Sequence, residues 1–578
     1  MVYATTYSIY LILSILLVTS IIVFSLKRNL VYLHIFQQQE YDNYRMLTWI
    51  INNLAIDKRL SIALFLMFCM NLLIFYKFIF FIKFIISCIL IIITIGGFAY
   101  LEKNPIKFAK KPLVLTDRAK RIYYLALCFS FVGDLIILFN INLKNYLIQL
   151  LLIIHLIPVY LIIANICLIP IENYIQKKYW KLAIAQLSKC KPLIIGITGS
   201  FGKTTVKHFL GHILQQADHT LITSGSINTP MGITKVIIEE LNASHKYFIV
   251  EMGAYGVGSI NKICQLTPPV FGIITAIGSA HYERFKDLEN VAKAKFELAE
   301  AVIKNSKFLD NFNDFNNSKN SATNLIVNEQ VLNTNYAKKY LEEHKSFIQI
   351  LDPNSISNVV QLKTGLTWDL KIDGVNEQIT TPIFGSHNVA NLSLACLAAY
   401  NLKVPMPIII NALKTMPQVN HRLEIKQQNN YTIIDDAYNA NPEGFKSGLE
   451  LLNFLHTSNN KGIKLTQRSQ SAQETLLVEG RKILVTPGLI ELGSKHEEEH
   501  FNLGLLAAKY VDLALIVNPS RITSFLAGFK QNSNHEQLLI SLDSWEQAKN
   551  WLNINCKAND VVLIANDLPD LYEMKLQI

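Results

Sequence analysis

The chain has 578 residues, with 54 lysines and arginines against 44 aspartates and glutamates, a net charge of +10 and a mean hydropathy of +0.26. With only 17% charged residues it is too apolar to be wholly soluble, and its length calls for about three to four domains. Eight scattered cysteines without a close pair exclude a disulfide or zinc framework and read as reduced packing residues.

The apolar excess lies before residue 172. Candidate membrane spans lie near residues 8–26, 60–76, 78–100, 122–139 and 146–169, each close to the roughly 20 residues that cross hydrocarbon as a helix. The first has no basic leader and no small-residue cleavage site, so it reads as a span rather than a signal peptide. Basic residues collect after span one (Lys27, Arg28, Arg45, Lys58, Arg59) and after span three (among them Lys107, Lys110, Lys111, Arg118 and Arg121). Positive-inside then puts the N-terminus outside and everything after residue 171 in the cytoplasm. Basic charge flanking apolar spans favours a lipid bilayer as partner, and no nucleic acid. Asp134 falls in span four, and His155 and Asn165 in span five. An intramembrane carboxylate is a functional candidate, and the alternative is a helix–helix hydrogen bond from Asp134 to Asn165 or His155.

After Pro170 an amphipathic helix (Ile175, Tyr179, Leu182, Ala183, Leu187) leads into the stretch LIIGITGSFGKTTVKHFL. An apolar strand enters a turn holding Gly199, Ser200, Gly202, Lys203 and Thr204, and a helix starts near Thr205. Strand, glycine loop and helix N-terminus form a phosphate cradle: backbone N–H groups face the anion, Lys203 adds charge, and the Thr204 hydroxyl suits magnesium. The strict phosphate-loop pattern has glycine where Ile197 stands, and the alternative is a glycine turn with a solvated lysine. About twenty residues separate the last span from this loop, which sets the chemistry near the membrane. A second strand, 247–250, ends at Glu251, where a metal ligand belongs in a parallel sheet. A third, 270–276, ends before His281, either a loop histidine or a metal ligand. A helix with Lys293, Lys295 and Glu297 follows, then a polar loop at 311–319 and a hairpin over 365–380 turning at Asp373-Gly374. Strands over 431–434, 482–485, 513–517 and 561–565, with helices over 443–454 and 497–509, make the rest a smaller α/β sheet, and 457–480 reads as an exposed insertion.

The runs GITGSFGKTT, EMGA, IGSAHYERF and AKAKFELAE resemble the ATP-dependent Mur ligases, which form amide bonds on cell-wall precursors. The resemblance continues through Gly385–Asn391, His421–Glu424, Asp435–Pro442 and Glu491–Gly493, and within the family it is nearest the D-alanyl-D-alanine-adding ligases. It does not extend to the membrane region at 1–171, which the apolar spans alone mark as an α-helical transmembrane bundle. An α/β P-loop central domain with a parallel sheet would follow at 172–416, and a smaller Rossmann-like α/β domain at 417–578 that closes over it. It implies ATP and Mg2+ as cofactors: Gly199, Ser200, Gly202, Lys203, Thr204 and Thr205 on the phosphates, and Thr204, Glu251, His281 and a carbamylated Lys295 on magnesium. Asn388 and Asn391 would lie on the adenine side, Arg422 on a phosphate and Asp436 on the ribose. Lys203, Lys295, His281 and Arg422 would carry the catalysis. The implied reaction activates a carboxylate as an acyl phosphate, which an amino acid or dipeptide amine then attacks, at the bacterial inner membrane with the catalytic domains in the cytoplasm. Two departures bear on the acceptor. No room is left between residues 170 and 193 for a soluble domain gripping a UDP-sugar, and Asn566–Asp570 replaces the expected Gly-Ser-basic ending. A lipid-linked precursor or another poly-amino-acid polymer is therefore an alternative acceptor. An ATP-driven transporter is the reading from another class.

Overall fold

The computed structural model describes residues 2–52, 61–65, 80–102, 104–108, 112–139, 146–278, 285, 287–306, 324–428, 431–438, 441–465, 480–489, 492, 495–534 and 536–566. They fall into two units, Met1–Lys177 and Lys178–Asp567.

The first unit is helical: α1 (Val2–Gln38), α2 (Asn43–Asn52), α3 (Phe80–Leu101), α4 (Asp117–Phe139) and the start of α5 (Tyr146–Cys190). Spans one, four and five fall within α1, α4 and α5, span three does so in α3 from residue 80 onward, and span two lies outside the described residues except for 61–65. Among the described residues, two stretches are long and apolar enough to cross a membrane, Leu11–Gln38 and Gln149–Cys190. Two expectations need correction. The apolar span and the amphipathic helix after Pro170 are one helix, since α5 runs unbroken past Pro158 and Pro170. Lys27 and Arg28 lie inside α1 rather than in a loop: Lys27 donates to the Ala99 carbonyl at 2.8 Å, and Arg28 pairs with Glu102 at 2.9 Å. The hydrogen bond from Asp134 to Asn165 or His155 is absent. Asn165 instead donates to Tyr41 O (3.0 Å) and Asn43 Oδ1 (2.9 Å). His155 Nδ1 lies 2.7 Å from Leu151 O, which requires it to donate, leaving Nε2 to accept from the Ser61 hydroxyl at 3.2 Å.

The second unit holds three sheets. The largest has the order β2-β3-β1-β4-β5-β6 and is parallel throughout: β1 (Leu193–Thr198), β2 (Thr220–Ile222), β3 (Tyr247–Glu251), β4 (Phe271–Ile274), β5 (Leu325–Asn328) and β6 (Ile348–Leu351). Alternate residues of its strands feed opposite cores. Ile194, Phe248, Ile274 and Leu325 face one cluster, with α7 (Pro230–Glu239), α8 (Ser259–Leu266), α9 (Leu288–Ser306) and α10 (Asn335–Glu343). Ile195, Ile249, Ile273 and Ile326 face the other, with α6 (Lys203–Gln215), α11 (His387–Asn401) and α12 (Met406–Lys414). Burial on both faces is why these strands read as continuous apolar runs. The order reverses at β1: the chain steps one way to β2 and β3, then returns to β4 on the other side. The loop after β1 therefore opens into a crevice at the carboxyl edge, where such sheets bind ligands.

The expected hairpin is present as β8 (Gly365–Ile372) and β9 (Val375–Thr381), extended to three antiparallel strands by β7 (Ile356–Leu362). Asp373 (φ 46°) and Gly374 (φ 84°) both take the left-handed conformation that a tight two-residue hairpin turn demands. The third sheet has the order β10-β11-β15-β12-β13-β14 and is parallel except for the β10 edge. It comprises β10 (Glu424–Gln428), β11 (Tyr431–Asp436), β12 (Lys482–Thr486), β13 (Leu513–Val517), β14 (Leu538–Leu542) and β15 (Val561–Ala565), with α13 (Pro442–Leu465), α14 (His496–Ala507), α15 (Thr523–Asn532) and α16 (Trp545–Asn555) packed on it. The expected exposed insertion at 457–480 begins as helix, since α13 continues to Leu465, and 466–479 lie outside the described residues.

Candidate functional site

The loop between β1 and α6 is held in shape before any ligand is considered. Gly199 (φ 154°) lies against Thr275, and Gly202 (φ 78°) places a would-be Cβ 2.6 Å from Asn391 Oδ1, so both positions exclude side chains. Lys203 Nζ folds back onto the carbonyls of Gly199 (2.7 Å) and Ser200 (3.2 Å). Partial burial lowers the Lys203 pKa, Arg422 adds to the lowering, and Glu251 opposes it. Ser200 departs from expectation. Its N–H donates to Ala276 O (2.8 Å) and its hydroxyl exchanges hydrogen bonds with Gly278, so it staples the loop to the end of β4 instead of facing a phosphate.

Glu251, the last residue of β3, faces the first turn of α6. Its Oε2 accepts from Thr204 Oγ1 and from Lys207 Nζ, each at 3.0 Å, and its Oε1 accepts from Asn228 Nδ2 at 3.2 Å. Burial pushes its carboxyl up, but Lys207 and Lys203 outweigh that and hold it below the ordinary value. Lys295, on α9, is 2% exposed and makes no hydrogen bond among the described residues. Desolvation, with repulsion from Lys203, drives its pKa well below that of a free lysine and favours the neutral amine, against the pull of Glu297. Glu297 itself accepts from the N–H groups of Gly258 and Asn261 at the start of α8.

A cleft of about 140 Å³ lies between the first and third sheets. Three helix N-termini reach it: Gly202 and Thr205 from α6, His387 and Asn391 from α11, and Asn441 and Gly444 from α13. Helix N-termini carry partial positive charge and unpaired N–H groups, so the cleft is built for an anion. Arg422 and Asp436 line its far wall. Asp436 Oδ1 accepts from Leu423 N (3.1 Å), and His421 and Leu423 take positive φ (59° and 50°) on either side of Arg422. The strained turn and the carboxylate thus fix where Arg422 stands. Burial and the neighbouring Arg422 lower His387 to about 4, leaving it neutral.

Residues 197–399 match the model of the Mur ligase middle domain. The chain is 30% identical over 260 residues to the UDP-N-acetylmuramoyl-tripeptide--D-alanyl-D-alanine ligase of Buchnera aphidicola subsp. Baizongia pistaciae, covering 45% of this chain and 53% of that one. It is 26% identical over 353 residues to the Escherichia coli K12 enzyme of the same name, covering 60% and 70%. Residues 197–399 are thus similar to the middle domain of the Mur ligases. Its fold matches the crystal structure of MurF from Acinetobacter baumannii (TM-score 0.53, 23% identity, 68% of this chain and 77% of that one). It also matches that of MurF ligase from Thermotoga maritima in complex with ADP (TM-score 0.52, 20% identity, covering 68% and 80%). The chain spans about half to two thirds of the length of the first curated relatives it matches.

The chain brings Gly199, Gly202, Lys203, Thr204 and Glu251 together at the carboxyl edge of the first sheet, with Thr205, Asn388, Asn391, Arg422 and Asp436 around the cleft beside it. His281 lies outside the described residues, as do Glu491 and Gly493. Asn388 is 3% exposed and spends its amide on Phe384 O and Asn391. Thr204 and Glu251 offer hard oxygens side by side, a donor set that fits magnesium, whereas the bare nitrogen of Lys295 does not unless it carries a carbamate. His421, Glu424 and Asp435 also cluster, but Lys426 Nζ sits 2.6 Å from Asp435 and 2.9 Å from Glu424 and supplies the positive charge there. Three participants had been missed: Lys207, Asn228 and the N-terminus of α13. Lys207 carried a signal, since a lysine three residues after Thr204 falls on the same helix face, turned toward the strand that ends in Glu251.

Proposed function

We propose that this chain is a membrane-bound, ATP-dependent ligase that adds D-alanyl-D-alanine, or a similar amine, to the peptide carboxylate of a cell-wall precursor. The names of its relatives support that substrate pair. The observation that carries the reading is the convergence of three helix N-termini and Arg422 on one cleft beside the Lys203 loop and the Thr204–Glu251 oxygens. The division at 1–171, 172–416 and 417–578 is kept as the domain reading.

In this reading the ATP phosphates lie on the Gly199–Thr205 loop. Lys203 releases its two loop carbonyls to meet them, and Arg422 faces them from the third sheet. Asn388 and Asn391 border the adenine side and Asp436 the ribose. Magnesium would be held by Thr204, Glu251, His281 and carbamylated Lys295, and when bound it neutralises charge on the transferring phosphoryl group. The uncharged, desolvated Lys295 is the form that can take up carbon dioxide. Developing negative charge is met by fixed donors that need no reorganisation, which is the larger part of catalysis in phosphoryl transfer.

Exposed apolar residues along α1 and α5, such as Ile12 and Ile15 (each 56%) and Ile166 (51%), support a bilayer around the first unit. The apolar stretches and the basic residues flanking them support the reading of a multi-pass protein of the bacterial inner membrane with catalysis on the cytoplasmic side. The test is phosphate release by the detergent-solubilised chain given ATP, D-alanyl-D-alanine and either UDP-muramoyl-tripeptide or its lipid-linked form. Turnover with one and not the other identifies the acceptor. No turnover with either, or full turnover by Lys203→Ala, refutes the reading.

A further inference from the structure

The most deeply buried charge beside the phosphate loop belongs to none of the roles above. Lys207 is 0% exposed and Glu251 1%, and they form an ion pair at 3.0 Å. Lys207 is fixed from its other side by the Gly225 carbonyl, so it has no path to solvent. Two charges taken this far out of water cost several kcal/mol each, and an apolar pair of similar volume would often serve packing as well. The pair therefore has something to do other than fill space.

We propose that Lys207 is a built-in counter-ion that keeps the Glu251 cation site closed until a nucleotide arrives. The inference rests on the reading of Glu251 as a magnesium ligand. A carboxylate has about four lone-pair positions. On Glu251, Lys207 and Thr204 occupy Oε2 and Asn228 occupies Oε1, which leaves about one lone pair, on Oε1. The site thus has one oxygen to offer, and its charge is already cancelled by the ammonium. Magnesium gives up its water reluctantly and needs anionic oxygens to compensate. A neutral pair with one open lone pair does not supply them. A polyphosphate laid on the adjoining loop does, and its negative charge offsets Lys207 together with the neighbouring Lys203 and Arg422. Lys207 thereby makes the divalent cation a co-ligand of the nucleotide rather than a resident of the free protein. It is a positioning residue, acting on Glu251 and not on substrate.

The test is the binding of Mn2+, a paramagnetic substitute for Mg2+, to the detergent-solubilised full chain, with free Mn2+ counted by electron paramagnetic resonance with and without saturating ADP. The wild type should bind Mn2+ at Glu251 at least about tenfold more weakly without ADP than with it. Lys207→Met should strengthen nucleotide-free binding by at least about tenfold, because it leaves the carboxylate uncompensated. Lys207→Gln, which keeps an N–H for Glu251 and for the Gly225 carbonyl, provides a second folded variant with the charge removed. Adding Glu251→Gln to either should abolish the gain. Equal wild-type affinity with and without ADP overturns the proposal and leaves the metal reading standing. So does unchanged nucleotide-free affinity in a folded Lys207 variant, which is what a purely structural pair would give. If Glu251→Gln alone leaves Mn2+ binding with ADP intact, Glu251 is no ligand and both readings fall.

Discussion

Replacing Gly199 by alanine probes the phosphate loop where its geometry is tightest. With φ at 154°, an added Cβ would overlap Thr275 Oγ1 and lie 3.0 Å from Ala276 N. Thr275 cannot yield cheaply. It is 2% exposed, its hydroxyl donates to Phe201 O within the loop, and its N–H donates to Thr198 O at 2.9 Å. The methyl must therefore lift the loop off the end of β4. Overpacking of this kind costs about 1–3 kcal/mol, and a spoiled hydrogen bond about 0.5–1.5 kcal/mol more. A total of about 2–4 kcal/mol should lower the melting temperature of the second unit by roughly 2–5 °C. Because the loop amides move with the loop, protection by ADP should fall as well. Tryptophan fluorescence during heating reports both, since Trp180, Trp368, Trp545 and Trp551 all lie in that unit. Gly256→Ala is the control, because no atom lies within 4 Å of its would-be Cβ. If Gly199→Ala melts with the control and is protected equally by ADP, the loop is not packed as described.

His500 is fully buried, accepts from Leu489 N at 2.9 Å, and is lowered to about 4 by burial. The unfolded histidine, near 6.5, takes up a proton first, so this contribution is complete above pH 6.5 and is lost as pH falls from 6.5 toward 4, by up to about 3 kcal/mol. His500→Gln should flatten the stability profile across that window, and an unchanged slope would refute the assignment. Isotope-labelled bicarbonate should give a carbamate resonance that disappears in Lys295→Met, and a signal that survives the substitution would place the carbamate elsewhere. Arg422→Lys keeps the charge but not the planar fork and should lower kcat by about 10²-fold in the phosphate-release assay with KM for ATP little changed. A loss confined to KM would make Arg422 a ground-state contact only.

Where an element is buried on both faces, its strands were legible. β1, β3 and β4 were located to within two residues or so from apolar runs alone, and the Asp373-Gly374 turn from its dipeptide. What escaped notice has physical causes. β10 reads EIKQQ because an edge strand exposes one row of its backbone and needs polar side chains, so it carries no apolar signature. β7 and β14 are edges too, but they read ISNVVQL and LLISL and so carry apolar residues. The continuity of α5 was hidden because proline was read as a stop, while a helix whose neighbours or surroundings are apolar tolerates it. Ser200 was assigned to a phosphate because a loop motif lists residues without saying which N–H groups are already taken, and only the register of the loop against β4 shows that Ser200 N–H belongs to Ala276. Thr204 and Glu251 could be paired in advance, because the carboxyl ends of neighbouring parallel strands are fixed relative to the helix that follows the first.

The buried charges of this protein fall into two kinds. Lys207 with Glu251 is paired at 3.0 Å and Arg28 with Glu102 at 2.9 Å, whereas Arg121 with Glu172 and Arg481 with Asp560 (each 2.7 Å) bury the carboxylate and leave the guanidinium about a third exposed. A buried pair returns much of its desolvation cost, and deleting one partner of Lys207–Glu251 should cost about 3–5 kcal/mol. Lys295 is different, with no hydrogen bond among the described residues, and Asp134 Oδ1 likewise lacks a partner. A buried polar group without a partner is a standing cost that packing alone would remove, since a leucine or methionine would fill either position without it. On α9 the resemblance to the ligases supplies a reason, because an amine kept neutral by its surroundings is the one that can be carbamylated. On α4 no hydrogen-bond partner for Asp134 Oδ1 stands among the described residues. The same physical test that separates Lys295 from the ion pairs therefore marks Asp134 as the position in the helical unit where a leucine substitution should raise stability, and where any loss of turnover that accompanies it would have to be functional.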